Sequence, residues 1–206
     1  MASAMFYDHG RDLDDDFAFD EHLSRRLRNK SAVHFSPVAV ARIAARLLAP
    51  KPGTRVLDVG SGVGKFCLVA AIANPASTFV GVEFRPHLAS VARRIARELV
   101  VPNAQFLNGN AFDLDWNEYD AFYFYNPFAE QLHCVPFLLD HLLELAATSF
   151  LEYVSAARRR LGVAPLGTRV VTYHGLGAPL PDGYELVSSR EHRNLELWQK
   201  TKAVLS

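Results

Sequence analysis

The sequence predicts an α/β fold built on a doubly wound, mostly parallel sheet, and three observations carry that prediction. From about residue 37 onward, short apolar runs rich in Val, Phe and Tyr alternate with longer segments of helical periodicity, the pattern of parallel strands joined by crossover helices. The turn after the first such strand is dense in glycine. The last two β-like runs, 184–189 and 195–200, have too little chain between them for a helix, so they predict a C-terminal antiparallel hairpin. With 206 residues, 50% of them hydrophobic, the chain supports one substantial core and is read as a single domain, 1–206. Residues 1–50 would be an N-terminal helical arm or lid, and 51–206 the catalytic core.

In chain order, an acidic stretch (Asp8, Asp12, Asp14, Asp15, Asp16, Asp20, Glu21) gives way to a basic one (Arg25, Arg26, Arg28, Lys30). Two readings fit: a solvated helical arm, or an arm that contacts substrate. Ser36 followed by Pro37 predicts an N-cap and a proline at the first helical position, after which Val38, Val40, Ala41, Ile43, Ala44 and Leu47 recur at helical spacing to about Pro50. A strand over 55–59 and a glycine turn lead into a helix over 66–73, stopped by Asn74-Pro75. A strand at 78–83, a helix from Pro86 to about Leu99 and a strand near 104–107 follow. The next strand, 120–125, breaks at Asn126-Pro127. A long helical region over 136–161, interrupted near 146–149, precedes a strand at 168–173 and the hairpin, for seven strands in all.

Bulk properties narrow the function. Basic and acidic side chains balance at 22 each, so a nucleic-acid surface would have to be local. Cys67 and Cys134 lack CxxC spacing and predict neither a disulfide framework nor a metal site. The acidic N-terminus does not resemble a signal peptide, and no stretch reaches about 18 uninterrupted apolar residues, so a cytoplasmic protein with no membrane partner is expected.

The richest chemical signal is Asp58-Val59-Gly60-Ser61-Gly62-Val63-Gly64, at a strand-to-helix junction. Glycines there permit positive φ and let a ligand approach the backbone, while the following helix presents unpaired amides. The spacing is G-x-G-x-G, and Lys65 stands where a dinucleotide fingerprint would carry its third glycine, which disfavours a nicotinamide-dependent oxidoreductase. Glu83 ends the next strand about twenty residues on, where a carboxylate accepts hydrogen bonds from ribose hydroxyls and repels a phosphate. Beyond the third strand, Gly109-Asn110-Ala111-Phe112-Asp113 offers a short polar side chain and a ring for an adenine.

Together these motifs resemble those of the class I, Rossmann-like, S-adenosylmethionine-dependent methyltransferases, over roughly residues 55–128. The resemblance implies that Gly60, Ser61, Gly62 and Gly64 pass the methionine and ribose moieties of S-adenosyl-L-methionine. It also implies that Asp58 helps hold the methionine end, that Glu83 binds ribose, and that Asn110 and Ala111 lie by adenine. Asn110 departs from the aspartate often found there. The G-S-G-V-G run and the G-V-E strand end are similar to histone lysine methyltransferases of the disruptor-of-telomeric-silencing type.

Ligands of open α/β sheets bind at the carboxyl ends of the strands, so Asn126, Pro127 and Phe128 should face the reactive methyl as catalytic residues. The run resembles the [N/D]-P-P-[Y/F] motif of methyltransferases acting on planar nitrogens, with one proline missing. Tyr125, Glu130 and His133 are candidate proton acceptors. The run Ser31 to Pro37 resembles an F-T-P element preceding the core of some amino-methyltransferases. The expected acceptor is a nitrogen on a protein or nucleic acid, with a small-molecule amine as the alternative. A non-catalytic S-adenosylmethionine-binding module is the rival from another class.

Overall fold

The computed structural model describes residues 13–125, 147–190, 192 and 194–203. Four helices come first: α1 (Asp16–Asp20), α2 (Arg25–Arg28), α3 (Ser31–His34) and α4 (Val38–Leu48). The alternating part follows as β1 (Arg55–Val59), α5 (Lys65–Ala73), β2 (Thr78–Glu83), α6 (Pro86–Glu98), β3 (Ala104–Asn108) and β4 (Ala121–Tyr125). Then come α7 (Ala147–Val163), β5 (Arg169–Tyr173), β6 (Tyr184–Arg190) and β7 (Leu195–Lys200). The seven strands form one sheet in the order β3-β2-β1-β4-β5-β7-β6. The first five are parallel, while β7 runs antiparallel to both β5 and β6. This is the doubly wound, seven-stranded sheet with a terminal hairpin that the alternating pattern predicts.

Side-chain alternation along the strands divides the interior in two. Val56, Phe79, Tyr123 and Val171 join α4, α5 and α6 on one face, whereas Leu57, Val80, Phe122, Phe124 and Val170 join α7 on the other. α5 is buried on nearly every side, from Lys65 through Ala71. Its apolar sequence therefore shows little amphipathic periodicity. The predicted helix over 136–161 is seen as α7, and residues 136–146 lie outside the described part. No helix among the described residues is long and apolar enough to cross a membrane.

Two expectations need correction. Ser36 does not cap α4: Pro37 holds the N-cap position, and the Ser36 hydroxyl shares a 2.8 Å hydrogen bond with Tyr123 Oη. The amide of Val38 instead donates to Asp16 Oδ1 at 2.9 Å, so α4 is capped from a helix 22 positions away in sequence. Nor are residues 13–35 a solvated arm. Leu13, Phe19, Leu23 and Phe35 are buried in the same cluster as α4 and α5. Their acidic neighbours tie them to the rest of the chain: Asp14 pairs with Arg42 at the surface, and Asp16 and Asp20 pair with the buried Lys65.

Candidate active site

β1 carries Asp58 and delivers the chain into the glycine turn at its carboxyl end. Gly60, Gly62 and Gly64 all have positive φ, at 79°, 55° and 80°. At Gly64 a Cβ would come within 2.5 Å of the Phe106 ring and 2.9 Å of Ala92, so sterics as well as conformation require glycine. Gly81 on β2 is equally constrained, because a Cβ there would lie 2.6 Å from both Cβ and Oγ of Ser61. The turn thus rests directly on β2.

Four of its amides are engaged within the protein. Gly60 and Ser61 both donate to the Val82 carbonyl at 3.0 Å, Gly64 donates to Ser61 O at 2.8 Å, and Gly62 donates to Glu83 Oε2 at 2.9 Å. The last bond joins the glycine turn to the acid that ends β2. The other oxygen of Glu83, Oε1, accepts from the Arg85 amide at 2.9 Å. The carboxylate is buried. Oε1 also accepts from Arg85 Nη1 at 3.5 Å, so Oε2, which accepts from Gly62 alone among the described residues, is the oxygen that retains a lone pair.

Asp58 lies deeper. Its carboxylate is buried and accepts a 3.5 Å hydrogen bond from the Cys67 thiol of α5. Burial pushes its pKa up to about 8; the Cys67 bond lowers it in part, and the nearby Glu83 charge raises it further. Burial, the Asp58 charge and their shared hydrogen bond together push the Cys67 thiol well up. Beyond β3, Asn110 Oδ1 accepts from the Phe112 amide at 3.0 Å, capping a single 3-10 turn, while the Ala111 carbonyl accepts from Trp116 Nε1 at 2.8 Å. Asn110 therefore uses one acceptor position locally and keeps its amide donors. Ser61 Oγ is buried with no hydrogen-bond partner among the described residues.

The sequence-predicted cofactor residues thus fall at the carboxyl ends of three adjacent strands, β1, β2 and β3. Asn126, Pro127 and Phe128, with Glu130 and His133, lie outside the described residues. Tyr125, the last residue of β4, is in register with Tyr173, the last of β5, and their rings stand 5.0 Å apart. His174 follows, its ring 4.2 Å from Tyr173 and 5.9 Å from Tyr125.

Two further contributors stand beside the turn: Phe35, within the run the sequence singled out, and Lys65, whose role the sequence did not show. Phe35 packs where a Cβ on Gly62 would sit, 3.3 Å from its ring. Lys65, only 3% exposed, directs Nζ to Asp16 at 2.7 Å, Asp20 at 3.3 Å and Ser31 Oγ at 3.1 Å. It fastens the N-terminal helices beside the turn, and Tyr125 Oη completes the attachment by donating to the Val33 carbonyl at 3.0 Å. Apart from the position of Lys65 next to the glycines, no local signal marks it.

A family model described as a methyltransferase domain matches residues 50–144. The release factor glutamine methyltransferase of Vibrio cholerae is 39% identical over 57 residues, 28% of this chain and 20% of that protein. The chain thus spans about a fifth of that relative's length. Among solved structures, TrmN from Thermus thermophilus superposes with a TM-score of 0.61 at 24% identity, over 85% of this chain and 52% of that one. An RNA methyltransferase from Salinibacter ruber, in complex with S-adenosyl-L-homocysteine, gives a TM-score of 0.54 at 21% identity, over 82% of this chain and 93% of that one. These two show a common fold. None of the three is a histone methyltransferase, so the likeness to that group stays confined to its short motifs.

Proposed function

We propose that this chain, whose residues 50–144 match a methyltransferase-domain family model, is an S-adenosyl-L-methionine-dependent enzyme that methylates a nitrogen of a protein or nucleic-acid acceptor. The observation that carries this reading is the hydrogen bond from the Gly62 amide to Glu83 Oε2, which joins the two motifs into one site. The site offers the free lone pair of Glu83 Oε2, the unpartnered Ser61 hydroxyl, which can donate or accept, and the buried Asp58 carboxyl. That set suits ribose hydroxyls and repels a 2′-phosphate, so an adenosine sulfonium fits, while Lys65 in place of a third fingerprint glycine disfavours a dinucleotide. The Salinibacter ruber neighbour, crystallised with the demethylated product, supports the same choice.

When bound, the cofactor supplies an electrophilic methyl group on a positively charged sulfur. The chain's own work is positioning. Glu83 would hold the ribose hydroxyls, Gly60 to Gly64 would let the ligand lie against the backbone, and Asn110 and Ala111 would border adenine. Asn126 would orient the acceptor nitrogen with its side-chain oxygen, with Pro127 and Phe128 shaping the acceptor's approach. Such alignment contributes up to about 7 to 11 kcal/mol for well-oriented pairs, and no strong base is required.

Calorimetry tests the reading. S-adenosylmethionine and its demethylated product should bind at micromolar concentrations and NAD should not. Glu83→Ala should weaken cofactor binding by about 1.5 to 3 kcal/mol, the range for hydrogen bonds to a charged group. Tighter binding of NAD, or unchanged cofactor affinity in a folded Glu83→Ala variant, would reject the assignment.

A further inference from the structure

We infer that Asn108 is a positioning residue for the cofactor: its side-chain amide fixes the turn after β2 and, through that turn, the Glu83 carboxylate that meets the ribose. The inference rests on reading Glu83 as the ribose-binding acid. It adds to the site a side chain from β3, the outermost strand of the sheet.

Asn108 is the last residue of β3 and stands in register with Glu83, the last residue of β2. Its Nδ2 donates to the Glu83 carbonyl at 2.9 Å and to the Phe84 carbonyl at 3.0 Å. A primary amide has two N–H donors, so one is available for each carbonyl, and the opposite orientation of the group would set Oδ1 against two oxygens. The residue is exposed, yet both donors are spent on main chain rather than left to water.

The second of these bonds bears on the carboxylate. Phe84 O and Arg85 N belong to one peptide unit, and in a trans peptide the C=O and N–H point in opposite directions from one rigid plane. Asn108 holds the oxygen of that plane, and the N–H on its other side donates to Glu83 Oε1 at 2.9 Å. A rotation of the plane that freed the Phe84 carbonyl would therefore swing the Arg85 amide off the carboxylate. With Oε1 held by this amide and Oε2 by the Gly62 amide at 2.9 Å, the free lone pair of Oε2 keeps one direction.

Among the described residues little else secures this turn. β2 ends at Glu83, so the Phe84 carbonyl lies beyond the ladder, and the Phe84 side chain is 56% exposed and lends little packing. The chain is held up to Glu83 by the ladder, where the Gly109 amide also donates to the Glu83 carbonyl at 3.1 Å, and from Pro86 onward by α6. The peptide between Phe84 and Arg85 falls in the gap, and Asn108 spans it. Arg85 Nη1 approaches Oε1 at 3.5 Å from the same turn and moves with it. A partner ordered before binding loses less freedom on binding, so the contribution of Asn108 appears in ribose recognition.

The test is calorimetry with S-adenosylhomocysteine and with its 2′,3′-dideoxy analogue, which lacks the hydroxyls Glu83 would meet. Asn108→Ala should weaken S-adenosylhomocysteine binding by about 5- to 15-fold, within the net range of the two hydrogen bonds lost. The analogue should change by no more than about twofold, the ordinary error of additivity. A merely structural role would weaken both ligands alike. In a Glu83→Ala background, Asn108→Ala should again change S-adenosylhomocysteine affinity by no more than about twofold, since the group it positions is gone. Asn108→Ser, which keeps one donor, takes the place of Asn108→Ala in the same comparison if thermal denaturation shows the alanine variant to be unfolded. Equal loss for both ligands, no loss for either, or full additivity with Glu83→Ala would overturn the inference. Wild type binding neither ligand would remove the methyltransferase reading, and wild type binding both equally would remove Glu83 from the ribose; either result takes this inference with it.

Discussion

Replacing Lys65 by Met should release the N-terminal helices from the cofactor turn while leaving the sheet folded. The ammonium is almost fully buried and touches Asp16, Asp20 and Ser31, so its removal strands the carboxylate of Asp20, itself 16% exposed. Breaking a buried pair by removing one partner costs about 3 to 5 kcal/mol. Asp16 is 54% exposed and regains water cheaply, and Ser31 still donates to Asp20 at 2.6 Å, so we place the cost at about 2 to 4 kcal/mol. Spent on local opening, that free energy raises amide exchange over residues 19–35 by about 30- to 1000-fold and leaves β1 and β4 nearly unchanged. Hydrogen exchange read by mass spectrometry resolves the two regions. Adding Asp20→Leu to Lys65→Met should recover part of the loss, because an apolar pair of similar volume tolerates burial. Equal exchange in wild type and Lys65→Met, or an increase spread evenly over the chain, would refute the latch.

Gly81→Ala should lower stability by about 1 to 3 kcal/mol, the range for overpacking, since its Cβ would press on Ser61 and Phe106. At roughly 2 to 4 °C per kcal/mol for a chain of this size, thermal denaturation would register a fall of several degrees, and an unchanged Tm would show that Ser61 is free to move. Asp58 supplies a pH test. Its folded pKa, about 8, lies above the ordinary 3.8, so between those values the native state binds more protons than the unfolded chain, and stability falls as pH rises. Asp58→Asn carries no such penalty, so its Tm should gain on wild type between pH 5 and pH 8, and a constant difference would mean that Asp58 is ionised throughout. A cation bound beside Asp58 favours the ionised form, so cofactor binding at pH 7 should release a proton. Calorimetry in buffers of different ionisation enthalpy would show its absence.

Much of this fold could be read from letters alone because its signals are local. Each strand is an apolar run bounded by breakers, and the hairpin follows from how little chain separates its strands. Glu83 was legible because its place at a strand end fixes where its carboxylate stands relative to the glycines. Lys65 was not, since its partners lie 45 and 34 positions away and a lysine after a glycine turn looks like a solvated cation. Ser36 misled for the same reason: Ser-Pro is a cap signature in isolation, but the helix end is capped more favourably by Asp16, which frees the hydroxyl for Tyr123. The engaged amides of the glycine turn were equally hidden, because the acceptor of two of them, Val82 O, belongs to another strand.

The docking of residues 13–36 constrains how the protein is born. This stretch is synthesised before its partners, and its attachments to Tyr123 and Tyr125 join positions 87 and 92 residues apart. At about 5 to 20 residues per second of synthesis, the nascent segment waits roughly 5 to 20 seconds for those partners. Phe19, Leu23 and Phe35 can nest on α4 and α5 as soon as these emerge, but the hydroxyl anchors on β4 close only once residue 125 has been made, so the helices beside the glycine turn are fixed in two steps.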